Sequence, residues 1–255
     1  MALEEVAAES VADGGTALVR VFRWEPSTLS MGYGQHEETV DWEYCEAAGI
    51  DVTRRQTGGG GIYHDHVADI SYSIVVPADV VAGDLITAYH TLCEPILDFL
   101  AGIDVEAAFA DEPQPAIYEP ACFLRDIHPA HDILVDGRKI SGNAQYRQQD
   151  AVIQHGSILF DRAAEPHVGV FDSATPTVND LDQRTTTITE HVALDRDAVV
   201  GALTESLAEW ADAVVADWTS SELDEASELA TAKYAADEWV RGSSGSSPPG
   251  PGGVE

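Results

Sequence analysis

Lysine is almost missing from this 255-residue chain. Of its 13 basic residues only Lys139 and Lys233 are lysines, set against 45 acidic side chains and a formal net charge of −32. A surface of that sign repels phosphate backbones, which argues against nucleic acid as a partner. Abundant acid with scarce lysine has the look of a halophile-like adaptation to molar salt, where screening makes self-repulsion tolerable. A lysine retained in such a chain points to a specific task. Cysteine is sparse too: Cys45, Cys93 and Cys122 are odd in number and widely spaced, so they form no disulfide framework. No cysteine pair has metal-ligand spacing and the histidines form no HxxxH or HExxH pattern, so no metal site is expected. The longest apolar runs, such as Ile74-Val75-Val76, are far too short to cross a bilayer. The acidic start from Met1 to Asp13 lacks the basic and apolar stretches of a signal peptide. No membrane partner and a cytoplasmic location are the expectations.

What is present is enough for a packed core, with 44% hydrophobic residues. Strand patterns run over Ala17–Trp24, Thr28–Tyr33, Ile50–Arg54, Ile70–Val76, Asp104–Ala110 and Ala151–Phe160. Asp132–Asp136 and Lys139–Gln145 flank a turn at Gly137 and read as a hairpin. Helical spacing marks Asp41–Ala48, Leu85–Leu100, Asp195–Ala213 and Ser221–Val240, with Pro95 expected to kink or split the second of these. Residues 112–131 read as a polar, proline-rich loop. Strands crowd the first 160 residues and helices the rest, the order of an α+β domain with an antiparallel or mixed sheet and flanking helices. One domain over residues 1–241 is expected, and the tail Gly242–Glu255 (GSSGSSPPGPGGVE) reads as disordered.

Three segments carry candidate chemistry. In Arg54-Arg55-Gln56-Thr57-Gly58-Gly59-Gly60-Gly61-Ile62-Tyr63-His64-Asp65, the glycines let the backbone come close to a ligand and the arginines offer charge to a carboxylate or phosphate. In Asp132-Ile133-Leu134-Val135-Asp136-Gly137-Arg138-Lys139-Ile140-Ser141-Gly142-Asn143-Ala144-Gln145, a strand lysine beside a tight turn can stabilise charge developing on a carbonyl, or neutralise a phosphate. In Gln154-His155-Gly156-Ser157, a histidine is followed by a glycine that suggests close approach of a backbone or ligand. Cys45 and Cys93 read as small buried hydrophobes.

RRQTGGGGIYHD, DGRKISGNAQ and QHGSILF, in this order and spacing, resemble the three sequence blocks of the lipoate–protein ligase and octanoyltransferase superfamily, with biotin–protein ligases as more distant relatives. PSTLSMGYGQ and KYAADEW are similar to further family segments. The resemblance implies an α/β mixed-sheet catalytic domain with a tunnel for an acyl chain. It also implies transfer of a lipoyl or octanoyl group to a lysine of a lipoyl domain, on a 2-oxoacid dehydrogenase E2 or a glycine-cleavage H protein. Lys139 matches the lysine that holds the acyl carbonyl. Arg55, Gly58, Gly59, Gly60, Tyr63, His64, Gly142, Ala144, His155 and Gly156 match the substrate-binding blocks. Cys122-Phe123 resembles the Cys-Phe pair of cysteine-dependent octanoyltransferases, which take the acyl group from an octanoyl carrier protein and need no cofactor; Arg125, His128 and His131 are candidates to activate its thiol. The other expectation is a ligase that uses free lipoate with ATP and Mg, and a non-enzymatic acyl-binding module is a third. On either enzymatic reading Lys139→Ala is expected to abolish transfer with little loss of folding.

Removal of residues 242–255 should leave both melting temperature and turnover unchanged, because that composition cannot bury apolar surface. A truncated protein that fails to fold would contradict this.

Overall fold

The computed structural model describes residues 1–81 and 83–242; the tail expected to be disordered lies, from residue 243 onward, outside the described residues. The helices are α1 (Ala2–Ala12), α2 (Trp42–Ala48), α3 (Leu85–Gly102), α4 (Ala164–Gly169), α5 (Val178–Arg184), α6 (Arg196–Ala211), α7 (Ser220–Leu229) and α8 (Asp237–Val240). The strands are β1 (Leu18–Phe22), β2 (Thr28–Met31), β3 (Asp51–Arg54), β4 (Ile62–His64), β5 (Asp69–Pro77), β6 (Ala108–Phe109), β7 (Asp132–Val135), β8 (Arg138–Gln148) and β9 (Ala151–Leu159). Strands fall into two sheets. The larger is antiparallel throughout, in the order β1-β5-β9-β8-β7-β6. In the smaller, β2 pairs in parallel with β3 and antiparallel with β4.

Side-chain alternation along β5 sets the layers. Ile70, Tyr72, Ile74 and Val76 point to one face, where Leu92, Ile96, Phe99 and Leu100 of α3 and Val199, Leu203 and Leu207 of α6 complete the main core. Asp69, Ser71 and Ser73 point the other way and are buried among polar groups. A strand with one apolar and one buried polar face has a core on one side and a site on the other. On this second face α1 covers only the strand ends, through Ala7, Ala8 and Val11 against Val75, Ala151 and Ile153. The small sheet has its own core, in which Leu29, Met31 and Ile62 meet Phe123, Leu124 and Phe171.

Several local expectations are corrected. The helix at α1 was not expected; its acidic sequence has a weak apolar face. Pro95 does not break α3, which runs unbroken from Leu85 to Gly102 with the proline buried. The strand expected at Asp104–Ala110 shrinks to Ala108–Phe109. The last helical stretch divides into α7, a π-turn at Ala230–Tyr234 and α8. The hairpin holds: Asp136 and Gly137 take φ of 50° and 76°, the left-handed pair that a two-residue turn requires. No described helix is long and apolar enough to cross a membrane.

His167 on α4 is buried between the rings of Tyr63 and Phe123. Burial, helped by the neighbouring His64, lowers its pKa to about 4. The unfolded chain, with a histidine near 6.5, therefore binds more protons than the folded one between roughly pH 6.5 and 4. Stability should fall across that window as pH is lowered, by on the order of 3 kcal/mol from this group. Urea unfolding of His167→Leu should show a shallower pH dependence there than the wild-type protein, and identical slopes would contradict the assignment.

Candidate active site

Between the polar face of the large sheet and the small sheet lies a cavity of about 1190 Å³. Part of its floor is a row of residues paired across strands: Gly142 on β8 opposite Ser157 on β9, Ser157 opposite Ser71 on β5, and Ser71 opposite Phe22 on β1. Three strand spacings make this row roughly 14 Å long. Small side chains along most of it leave an open trough, and Phe22 and Trp24 line it on the β1 side.

Lys139 and Cys122 meet in this cavity beside Gly142. Lys139 is 2% exposed, and its ammonium lies 2.6 Å from Oδ1 of the fully buried Asp132. It also donates to the Cys122 carbonyl at 3.3 Å and lies 4.0 Å from Cys122 Sγ. Burial alone would drive the ammonium toward neutrality, but Asp132 and Cys122 together outweigh it and the lysine pKa is raised. For Asp132 burial works against the charged form, yet Lys139 and His131 hold its carboxyl well below the usual range. A charged lysine is thereby fixed beside a thiol in a nearly water-free position. The other two cysteines do not line the cavity, and burial pushes Cys45 up to about 11 and Cys93 to about 12.

The glycine segment holds the cysteine in place. Gly61 accepts from Cys122 N–H at 2.8 Å and donates to the Pro120 carbonyl. A Cβ on Gly60 would sit 2.8 Å from the Pro120 oxygen and 2.9 Å from Cys122 N, so glycine is required here by the cysteine segment and not by a ligand. Gly58, Gly59 and Gly60 all line the cavity, and Gly59 takes a φ of 91°. Arg184 secures the other end of the loop by donating to the carbonyls of Pro115 and Arg125.

The arginines do not present free charge as expected. Arg55 lines the cavity but donates to Thr57 Oγ1 and to the carbonyls of Ser30, Gly58 and Gly60, which makes it a clamp on the loop. Arg54 donates to the carbonyls of Gly32, Tyr33, Gln35, Trp239 and Val240, tying α8 to the β2 turn. Tyr63 is on the opposite side of β4, bonded to Asp65 and away from the cavity. His64, Ala144, His155 and Gly156 do line it. His64 is bonded to Ser30 and Asp69, and His155 to Thr57 and Glu4. Gly156 is small to admit the side chains of Asn143 and Tyr72.

Sequence reasoning gave Asp132 no role of its own within the hairpin segment, and missed Glu4 and Trp24. The signal for Asp132 was its place at the head of the hairpin strand facing Lys139. Glu4 and Trp24 had none beyond the alternation of β1 and the faint amphipathicity of α1.

Residues 1–208 match the profile of the lipoyl protein ligase A/B catalytic domain. The chain belongs to that family. It is 35% identical to an octanoyltransferase LipM of Kyrpidia tusciae, over 87% of this chain and 85% of the relative. To the octanoyltransferase LipM of Geobacillus kaustophilus it is 32% identical, over 94% and 92%. Among solved structures it is similar to a lipoate-protein ligase A bound with ATP, at 26% identity, a TM-score of 0.79 and 95% and 92% coverage. A bi-partite lipoate protein ligase of Thermoplasma acidophilum shares the fold, with a TM-score of 0.77 at 24% identity. The family assignment makes the chain an enzyme that transfers lipoyl or octanoyl groups.

The buried ion pair corrects one expectation. Lys139→Ala leaves Asp132 buried without its cation, which should cost about 3–5 kcal/mol of stability. The double variant Lys139→Met with Asp132→Asn should recover most of that loss in urea unfolding. Equal stability of Lys139→Ala and wild type would show that the pair is not buried in solution.

Proposed function

We propose that the enzyme moves an octanoyl group from a carrier-protein thioester to a lysine of a lipoyl domain, carrying it in between as a thioester on Cys122. The observation that carries this reading is Cys122 Sγ, open to the cavity, 4.0 Å from an ammonium that Asp132 keeps charged. The relatives named octanoyltransferase agree with it. An acyl thioester donor is already activated, so this chemistry needs no nucleotide.

The sulfur attacks the donor carbonyl as thiolate. Negative charge then develops on the carbonyl oxygen, where Lys139 supplies a fixed positive charge in a site with little water to screen it. Collapse of the tetrahedral intermediate expels the donor thiol and leaves acyl-Cys122. Gly142 is small where the reaction centre must sit: a Cβ there would lie 3.3 Å from both Cys122 Sγ and Lys139 Nζ. The trough from Gly142 toward Phe22 suits an extended eight-carbon chain, ~9 Å end to end because its ~1.5 Å C–C bonds zigzag and advance the chain ~1.3 Å each. Gly58, Gly59 and His155 border it, and Arg55 keeps the loop in shape.

The test is the mass of a lipoyl domain after incubation with enzyme and octanoyl carrier protein without ATP. Wild type should add one octanoyl group, and Cys122→Ser should be slower by on the order of 10³-fold or more, as when a positioned nucleophile is lost. Full activity of Cys122→Ser, or product only with octanoate or lipoate plus ATP and Mg, would assign the site to acyl-adenylate chemistry instead.

A further inference from the structure

Transfer from acyl-Cys122 to the acceptor poses a proton problem that Lys139 and Asp132 do not solve. A lysine amine arrives as its ammonium and must lose a proton before nitrogen can attack. Lys139 is held protonated by its partner, and Asp132 is held ionised as a poor base. Four histidines line the cavity. His64 is bonded through both ring nitrogens, to Ser30 and Asp69. His155 is likewise bonded to Thr57 and Glu4. His128 uses Nδ1 to accept from Ala130 N–H.

His131 differs. Its buried Nδ1 makes no hydrogen bond of proper geometry among the described residues, and lies 3.4 Å from Asp132 Oδ1. Its side chain is 34% exposed. The ring is stacked on His128, with centroids 5.3 Å apart, and tilted against Tyr89 at 5.5 Å. Its main-chain carbonyl is fixed by Asn143 Nδ2 at 2.7 Å. A ring flanked by His128 and Tyr89 on an anchored backbone, with one nitrogen toward a buried carboxylate and one edge reachable from solvent, has the arrangement of an oriented general base. The charged and titratable groups around it are Asp132, Lys139 beyond that carboxylate, His128 and Tyr89.

We propose that the imidazole of His131, oriented by Asp132, is the base that takes the proton from the incoming lysine amine. This rests on the Cys122 thioester reading. His131 Nε2 accepts one proton from the acceptor ammonium, with Nδ1–H directed at Asp132. The freed amine nitrogen forms the C–N bond to the thioester carbon while Lys139 faces the oxyanion. The C–S bond then breaks, the amide nitrogen loses its second proton, and the Cys122 sulfur leaves and is reprotonated. The net result is amide, free Cys122 thiol and one proton passed by His131 to solvent.

The test compares two nucleophiles on a preformed thioester. Wild type and His131→Asn are loaded with octanoyl carrier protein, acyl-Cys122 is quantified by intact mass, and each is chased with a lipoyl domain or with hydroxylamine. Asparagine can keep a donor toward Asp132 but offers no basic nitrogen, and hydroxylamine at neutral pH needs no base. The ratio of lysine transfer to hydroxylamine transfer should fall on the order of 10²-fold in His131→Asn. An unchanged ratio overturns the assignment. So does loss of the thioester in His131→Asn alone, which would make His131 a support for the thiol. Absence of the thioester in wild type would overturn the Cys122 reading itself, and this one with it.

Discussion

One buried ion pair constrains the site: Lys139 against Asp132, 2.6 Å apart and both nearly free of solvent. Neither charge could be buried alone, since each would shift its pKa and neutralise. Together they keep a full positive charge on Lys139 in a place where water cannot weaken it. The hairpin supplies both partners, Asp132 at the head of β7 and Lys139 near the start of β8, with an irregular register between Ile133 and Leu134. A thiol next to such a charge is placed to act on a carbonyl whose developing negative charge the ammonium can meet. The glycine segment, the Cys122 loop and Arg184 all serve to bring that thiol to that charge.

In a chain with 45 acidic residues, three arginines around the site are spent on structure. Arg54, Arg55 and Arg184 direct their guanidinium groups at main-chain carbonyls of turns and loops that no sheet or helix satisfies. Buried carbonyls without donors would cost about 1–3 kcal/mol each. A planar guanidinium with five N–H groups meets several of them at once. Lys233 is structural as well: it pairs with Glu5, which also accepts from Tyr234, joining α1 to the π-turn before α8. The scarcity of lysine drew attention to Lys139, which the structure buries against Asp132 at the cavity, while Lys233 is used for packing.

Much of the site was legible because local chemistry dictates it. The Asp136-Gly137 turn, the glycine run and the lysine beside the turn each have one strong physical reading, and the fold class followed from the order of strands and helices. The division into two sheets was not legible, since a parallel pair such as β2 and β3 joins segments that nothing local connects. Nor was the direction of side chains: Tyr63 and His64 are adjacent, but the pleat sends one to the cavity and the other to the α4 side. The clearest missed signal lay in Ile70-Ser71-Tyr72-Ser73-Ile74, where serines alternating with apolar residues on a buried strand mark the cavity floor.

The most direct test follows a labelled octanoyl group through a single turnover. Enzyme loaded with radiolabelled octanoyl carrier protein is mixed with excess lipoyl domain, quenched at intervals and digested for peptide mapping. Label should appear on the peptide bearing Cys122, and leave it at the rate at which it appears on the acceptor lysine. Label that reaches the lipoyl domain without passing through Cys122, or that stays on Cys122 while product accumulates, would contradict the thioester route.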